Sequence, residues 1–284
     1  MVLAALLLAI VPSRAQDLSF PRTITAGSSF SVRMPGSGKG QLYIVGPQQV
    51  LGRVVDLGQP VTIASGELYS AGHYIAVLTG SGSSSQTAQF DVLPVSDPGS
   101  LGLLAKPSRL PVNIPNGISG AVYIFDPYHN LITTPLAVSF TLAGTDEVTQ
   151  TRTMTSHNGL AWTTMNSAAK QSAARFTVRA GNISTTRVIN QVPGEPCSIS
   201  IKAQPSGNRL EIQTAPVRDC SGNTISDGTI VTFTETSGAS QSTVDAPLKR
   251  GIAAATLPAI KGAKISAASG SVMGNEIYWD GSRK

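Results

Sequence analysis

The chain has 284 residues, of which 13% are charged and 5% aromatic, with 28 Gly, 18 Pro, 33 Ser and 26 Thr. Its formal net charge of +5 is spread thinly, with four basic and four acidic groups in residues 16–96, seven and five in 97–195, and nine and seven in 196–284. That distribution excludes the clustered basic stripe of a nucleic-acid-binding protein, and a hydrophobic content of 41% excludes intrinsic disorder.

Residues Val2 to Val11 form an unbroken apolar run, followed by Pro12-Ser13-Arg14-Ala15 with small residues at −3 and −1 of a cut after Ala15. Ten apolar residues are too few for a helix across about 30 Å of hydrocarbon, so the expectation is a signal peptide over 1–15. The exported chain is then expected in the periplasm, at the cell surface or outside the cell, without stable membrane insertion.

Beyond the leader, no long window holds the Ala, Leu, Glu, Lys and Arg of a stable helix at a 3.6-residue period. Val, Ile, Thr and Ser instead alternate between Gly and Pro turns, which predicts an all-β chain of many short strands. Residues 16–96 read as one β-sandwich, with strands at 30–34 and 41–45. Gly72-His73-Tyr74 enters a late strand in which the Tyr74 hydroxyl can bond back to the preceding corner, and 80–85 reads as a Gly/Ser hairpin tip. Proline-bearing linkers are expected at 94–100 and 191–196.

The rest of the chain repeats itself. Asp126 and Asp219 are each followed four residues later by Asn (Asn130, Asn223), twelve later by Val (Val138, Val231) and fourteen later by Phe (Phe140, Phe233). Gly159-Leu160-Ala161 and Gly251-Ile252-Ala253 follow 33 and 32 residues past each Asp. Residues 97–195 and 196–284 are therefore expected to be two copies of one module. Each Asp is expected to end a strand in an Asx-turn, with the Asn as the left-handed residue of the corner. Val and Phe, two apart, share a strand face and are expected in the core.

Asp219-x-x-Gly222-Asn223 with Gly228-Thr229-x-Val231-Thr232-Phe233 resembles the signature of the group 1 bacterial immunoglobulin-like domain, the module repeated in invasin and intimin adhesins. The resemblance covers 196–284 well and 97–195 more faintly, where His129 stands for the first Gly and Pro135 for the second. It implies tandem seven-stranded sandwiches in a rod-like arrangement; the adhesins' barrel and terminal lectin-like domain have no counterpart here, so their function does not transfer with the module.

Cys197 and Cys220 are the only cysteines. An even pair in an exported chain reads as a disulfide, here placed at the open end of a hairpin that turns at 205–208. No metal or cofactor is expected. Asp219, Asn223 and Asp227 lack the Gly and Glu of an EF-type calcium loop, and His73, His129 and His157 have no partner at ligand spacing. No nucleophile elbow, zinc-protease or phosphate-loop motif occurs, so no catalytic residue is assigned. Among the aromatics Trp162, Tyr128, Tyr278 and Trp279, Trp162 alternates with Leu160 and is expected in the core. Tyr128, in the Asp126–Asn130 turn, is the one speculative ligand contact.

The expected function is non-catalytic: a structural or adhesion-type protein contacting another envelope protein or a surface glycan. A secreted polysaccharide-binding accessory module and a passive spacer are the alternatives. A planar strip of exposed aromatics is the feature that would favour polysaccharide binding, and the sequence offers too few aromatics to prefer it.

Overall fold

The computed structural model describes residues 17–80, 85–144 and 149–281. The expected signal peptide and most of the 80–85 hairpin tip lie outside them. Among the described residues all regular secondary structure is β-strand, and no helix is long and apolar enough to cross a membrane. Buried apolar side chains gather into three separate clusters, from Leu18 to Val92, from Leu110 to Ile189 and from Ile199 to Ala267. The strands around each cluster are described below as the first, second and third units.

The first unit contains β1 (Thr23–Thr25), β2 (Phe30–Arg33), β3 (Gly38–Val45), β4 (Val50–Leu57), β5 (Pro60–Ile63), β6 (Gly72–Gly80) and β7 (Ser85–Leu93). A five-stranded sheet ordered β1-β7-β6-β3-β4 faces the antiparallel pair β2-β5. Tyr74, fully buried on β6, stacks on Phe90 of β7 with centroids 5.4 Å apart. Its hydroxyl donates to the Ser70 carbonyl at 2.7 Å, closing the corner before the strand.

The second unit follows with β8 (Ser100–Lys106), β9 (Arg109–Pro111), β10 (Ile118–Phe125), β11 (Ala137–Ala143), β12 (Gln150–Thr155), β13 (Leu160–Met165), β14 (Ser172–Ala180) and β15 (Ile183–Val192). Sheets ordered β12-β11-β14-β15-β9 and β13-β10-β8 pack face to face. Val138 and Phe140 point inward from β11 and are fully buried; Phe140 lies 6.1 Å from Phe176 of β14. The opposite face of that sheet carries hydroxyls: Thr151, Thr141, Thr177 and Thr186 align across four strands. Arg175 and Arg179 flank this row on the same face.

The third unit comprises β16 (Pro196–Ser198), β17 (Ile201–Ser206), β18 (Arg209–Thr214), β19 (Arg218–Asp219), β20 (Ile230–Ser237), β21 (Ser240–Pro247), β22 (Ala254–Pro258), β23 (Lys264–Ser269), β24 (Val272–Met273) and β25 (Ile277–Tyr278). Sheets β21-β20-β23-β24 and β17-β18-β22 enclose Val231 and Phe233 of β20, both fully buried. Cys197 and Cys220 form a disulfide. It lies at the open end of the hairpin, as expected from the sequence. The hairpin turns at Gly207, pairs from Ser206–Arg209 to Ile201–Thr214, and continues past an irregularity into the short β16-β19 ladder that the cystine joins.

Trp162 departs from expectation. It is 64% exposed, because β13 turns Ala161, Thr163 and Met165 inward and Leu160 and Trp162 outward. Alternation puts Leu160 and Trp162 on one face without saying which face is buried.

Candidate functional site: two equivalent joints and an aromatic sheet face

The Asp-x-x-x-Asn motif builds the contacts between successive units. Asp219 closes β19, and its Oδ1 accepts the N–H groups of Ser221 (2.9 Å) and Asn223 (2.8 Å). The Asp219 N–H donates to the Asn223 carbonyl at 2.9 Å, completing a tight loop. The left-handed residue of that loop is Gly222, at φ 82°, and not Asn223. In the second unit Asp126 Oδ1 accepts Tyr128 N–H and Asn130 N–H, both at 2.8 Å. There His129 takes the left-handed place at φ 64°. The substitution of His for Gly thus leaves the corner unchanged, and the expectation that Asn supplies it is corrected.

The asparagine is free to use its side chain, and it does so across the joint. Asn223 Nδ2 donates to Asp219 Oδ2 (2.9 Å) and to the Ala169 carbonyl of the second unit (3.0 Å), while its Oδ1 accepts Gln171 N–H (3.1 Å). Asn130 repeats this toward the first unit, with Nδ2 on Asp126 Oδ2 (2.9 Å) and the Tyr69 carbonyl (2.8 Å), and Oδ1 accepting Ala71 N–H (2.8 Å). The aspartate's second oxygen holds the connecting chain: Gly194 N–H donates to Asp219 Oδ2 at 3.1 Å, and Val95 N–H to Asp126 Oδ2 at 3.0 Å. Both expected linker stretches are therefore pinned at one backbone amide.

Burial pulls the Asp219 carboxyl upward, but the donors from Asn223, Gly194 and Ser221 outweigh it and hold its pKa below the ordinary aspartate value. With N–H donors on both oxygens, this carboxylate is committed to structure rather than to proton transfer or cation binding. Asp227, grouped with it in the sequence, instead accepts Arg250 N–H at 2.6 Å. Among the described residues no three His, Cys, Asp or Glu side chains converge as metal ligands. Gly228 takes φ 87°, and its N–H donates to the Leu248 carbonyl at 2.9 Å.

Tyr128 sits in the first joint. Its ring stacks near Tyr69 with centroids 6.5 Å apart. It fills the space that a Cβ on Gly27 would need, and Gly27 also has φ 74°. Beside it lies a cleft of 620 Å³ between the first and second units, lined by Tyr69, His73, Asp91, Phe125, Tyr128 and Leu131. His73 Nδ1 lies 2.9 Å from Asp91 Oδ1. The sequence reading gave His73 no partner; the antiparallel register of β6 and β7 supplies one from 18 residues away.

The outer face of β13-β10-β8 is a second surface. Leu104, Ala121 and Trp162 align across the three strands, and Gly102, Tyr123 and Leu160 form the next row. Leu104 is 52% and Tyr123 44% exposed. Leu104 and Trp162 flank a shallow depression of 160 Å³ floored by Ala121. At its polar edge Ser119 Oγ donates to the Lys106 carbonyl at 3.1 Å, and Thr164 Oγ1 donates to Asn116 Oδ1 at 3.0 Å. No local pattern announces this face, because cross-strand register assembles it.

No family model matches the chain, and no curated protein matches its sequence. Solved structures do. InvD of Yersinia pseudotuberculosis is 12% identical with a TM-score of 0.51, over 93% of this chain and 97% of InvD. Invasin, described as a bacterial integrin-binding protein, is 13% identical with a TM-score of 0.47 over 86% of this chain, which spans 54% of invasin. The FN1–FN3 domains of chicken CNTN1 are 13% identical with a TM-score of 0.36, over 95% of this chain and 98% of that one. At these identities the likeness is one of fold: the chain is an all-β array of immunoglobulin-like sandwiches.

Proposed function

We propose that the chain is an exported, non-catalytic protein of the adhesion type, built of group 1 bacterial immunoglobulin-like modules, that holds a contact surface at the cell envelope. The observation that carries this reading is the repetition of one clamp at two joints. The same Asp and Asn fix each unit to its predecessor and to the connecting segment. An array meant only to tether has no need of fixed joints, whereas a contact surface held at a set distance and angle does. The disulfide supports an oxidising compartment, and the partner is an envelope protein or a surface glycan.

The test combines thiol trapping with fractionation and crosslinking of intact native cells. The expected result is recovery from the envelope or the medium, with no thiol alkylated before reduction and one defined envelope protein or surface polymer crosslinked. Recovery from the cytoplasm with both Cys197 and Cys220 alkylated would overturn the reading. Export with no crosslinked partner would replace the contact role with that of a spacer.

A further inference from the structure

We infer that the outer face of β13-β10-β8 in the second unit is a binding platform for a neutral polysaccharide chain. The inference rests on reading the chain as a contact-bearing module and names the ligand class of that contact. Two exposed rings, Trp162 and Tyr123, share one sheet face in adjacent rows. Rows on one face of a strand are about 7 Å apart, and neighbouring strands about 4.8 Å, so the two rings stand in reach of consecutive sugars of one chain. Small residues keep the face low around the rings: Ala121, in register with Trp162, floors the depression on the side away from Tyr123, and Gly102 stands opposite Tyr123 on β8.

Charge and area choose among occupants. The two rows carry no charged side chain, and Lys106 stands only at the edge, which is too little for nucleic acid, whose binding rests on many phosphate contacts. Three strands by three or four rows give roughly 300 Å², against about 800 Å² per partner in a stable protein interface. A second copy of the chain would therefore gain too little here. A pyranose ring matches both limits. Its C–H face packs on the negative face of an aromatic ring, while its equatorial hydroxyls reach outward to Ser119, Thr164 and Lys106 at the edge.

Affinity electrophoresis of the purified full chain tests this, in native gels cast with hydroxyethylcellulose, dextran or xylan and with polygalacturonate as the anionic control. The expected result is retardation by at least one neutral polymer and none by polygalacturonate. Trp162→Ala and Tyr123→Ala should each weaken that binding tenfold or more. Trp162→Phe, which keeps a ring, should retain most of it, and keeps the test valid if the alanine variant misfolds. Retardation by none of the neutral polymers, or equal retardation of all variants, would overturn the inference. So would a dimer in sedimentation equilibrium that Trp162→Ala dissolves, which would make the face a self-interface. Each of these results leaves capture of a partner at the envelope intact. Cytoplasmic recovery of the reduced chain would remove the contact-module reading without touching the gels.

Discussion

The Nδ2 of Asn223 lies 2.9 Å from Asp219 Oδ2 and 3.0 Å from the Ala169 carbonyl, so one amide group closes a turn in the third unit and ties it to the second. Only an asparagine of this length supplies both the N–H donors and the carbonyl oxygen that accepts Gln171 N–H. Aspartate would place a second carboxylate against Asp219, and serine would not reach. Asn130 makes the same three side-chain contacts one unit earlier, which explains why the spacing of Asp and Asn is kept while the three residues between them change from Pro-Tyr-His to Cys-Ser-Gly.

Replacing that amide should loosen one joint at a time. Asn223→Ala removes hydrogen bonds to a carboxylate and to part-buried backbone groups, a loss of about 2 kcal/mol. It should expose residues 191–196 to proteinase K while leaving 94–100 protected, and Asn130→Ala should do the reverse. Mapping the first cleavage sites by mass spectrometry checks this. Equal resistance of both variants would mean that apolar packing alone holds the joints.

The Asp219 carboxylate makes the second joint sensitive to acid. Its pKa lies below the usual aspartate value because the N–H donors around it overcome burial. A carboxyl depressed on folding adds stability that is complete above its unfolded pKa of about 3.9 and lost as pH falls through the folded value. Asp219→Asn should therefore be less stable than the unmodified chain at pH 6, with the gap narrowing below pH 4. Thermal melts at pH 6 and pH 3 read this directly.

The fold was legible where it depends on local order. Strands announce themselves by alternation and Gly or Pro turns, and Val231 and Phe233, two apart, share a buried face whatever the partner strand. The cysteine pair was legible by count. What sequence order conceals is anything two distant strands decide together. Trp162 faces outward because Ala161, Thr163 and Met165 take the core side of β13, a choice that a preference for burying the largest ring reverses. The contact of His73 with Asp91 depends on the β6-β7 register, and the second role of Asn130 on a neighbouring unit. The turn motif was visible and its tertiary purpose was not.

Breaking the disulfide should weaken the third unit and its joint together. Cys220 lies between Asp219 and Ser221, inside the clamp loop, and the bond spans 23 residues. A closure of that length stabilises by roughly 3 kcal/mol in the chain-entropy model. The Cys197→Ser, Cys220→Ser double variant should melt lower in the third unit and become sensitive to proteinase K at 191–196. A lowered melt with the joint still protected would separate the two roles.

Tyr128 and Gly27 form the apolar part of the first joint. A methyl group on Gly27 would collide with the Tyr128 ring, and the residue's φ of 74° disfavours any side chain. Gly27→Ala mixes these effects, so Tyr128→Ala is needed beside it. If Tyr128 acts as a plug, Tyr128→Ala should open 94–100 to protease with little change in the melt of the first unit, and adding Gly27→Ala to it should cost only the backbone strain. Full additivity of the two substitutions would show that the ring does not bear on Gly27.

Glu235 carries the opposite pH signature from Asp219. It points inward from β20 beside Phe233, is 2% exposed, and neither carboxylate oxygen has a hydrogen-bond partner. Burial pushes its pKa up, and the backbone of Ile260 pulls weakly the other way without meeting hydrogen-bond geometry. An acid raised on folding contributes stability that is complete below its unfolded pKa of about 4.3 and lost as pH rises through the folded value. The third unit should accordingly be less stable at pH 8 than at pH 5, the reverse of what Asp219 imposes below pH 4. Glu235→Leu removes the unsatisfied carboxylate and should raise stability at pH 8 by about 1–3 kcal/mol, with little gain at pH 4. Urea unfolding at the two pH values decides it: an equal effect of the substitution at both would mean that packing, not ionisation, sets the cost of this residue.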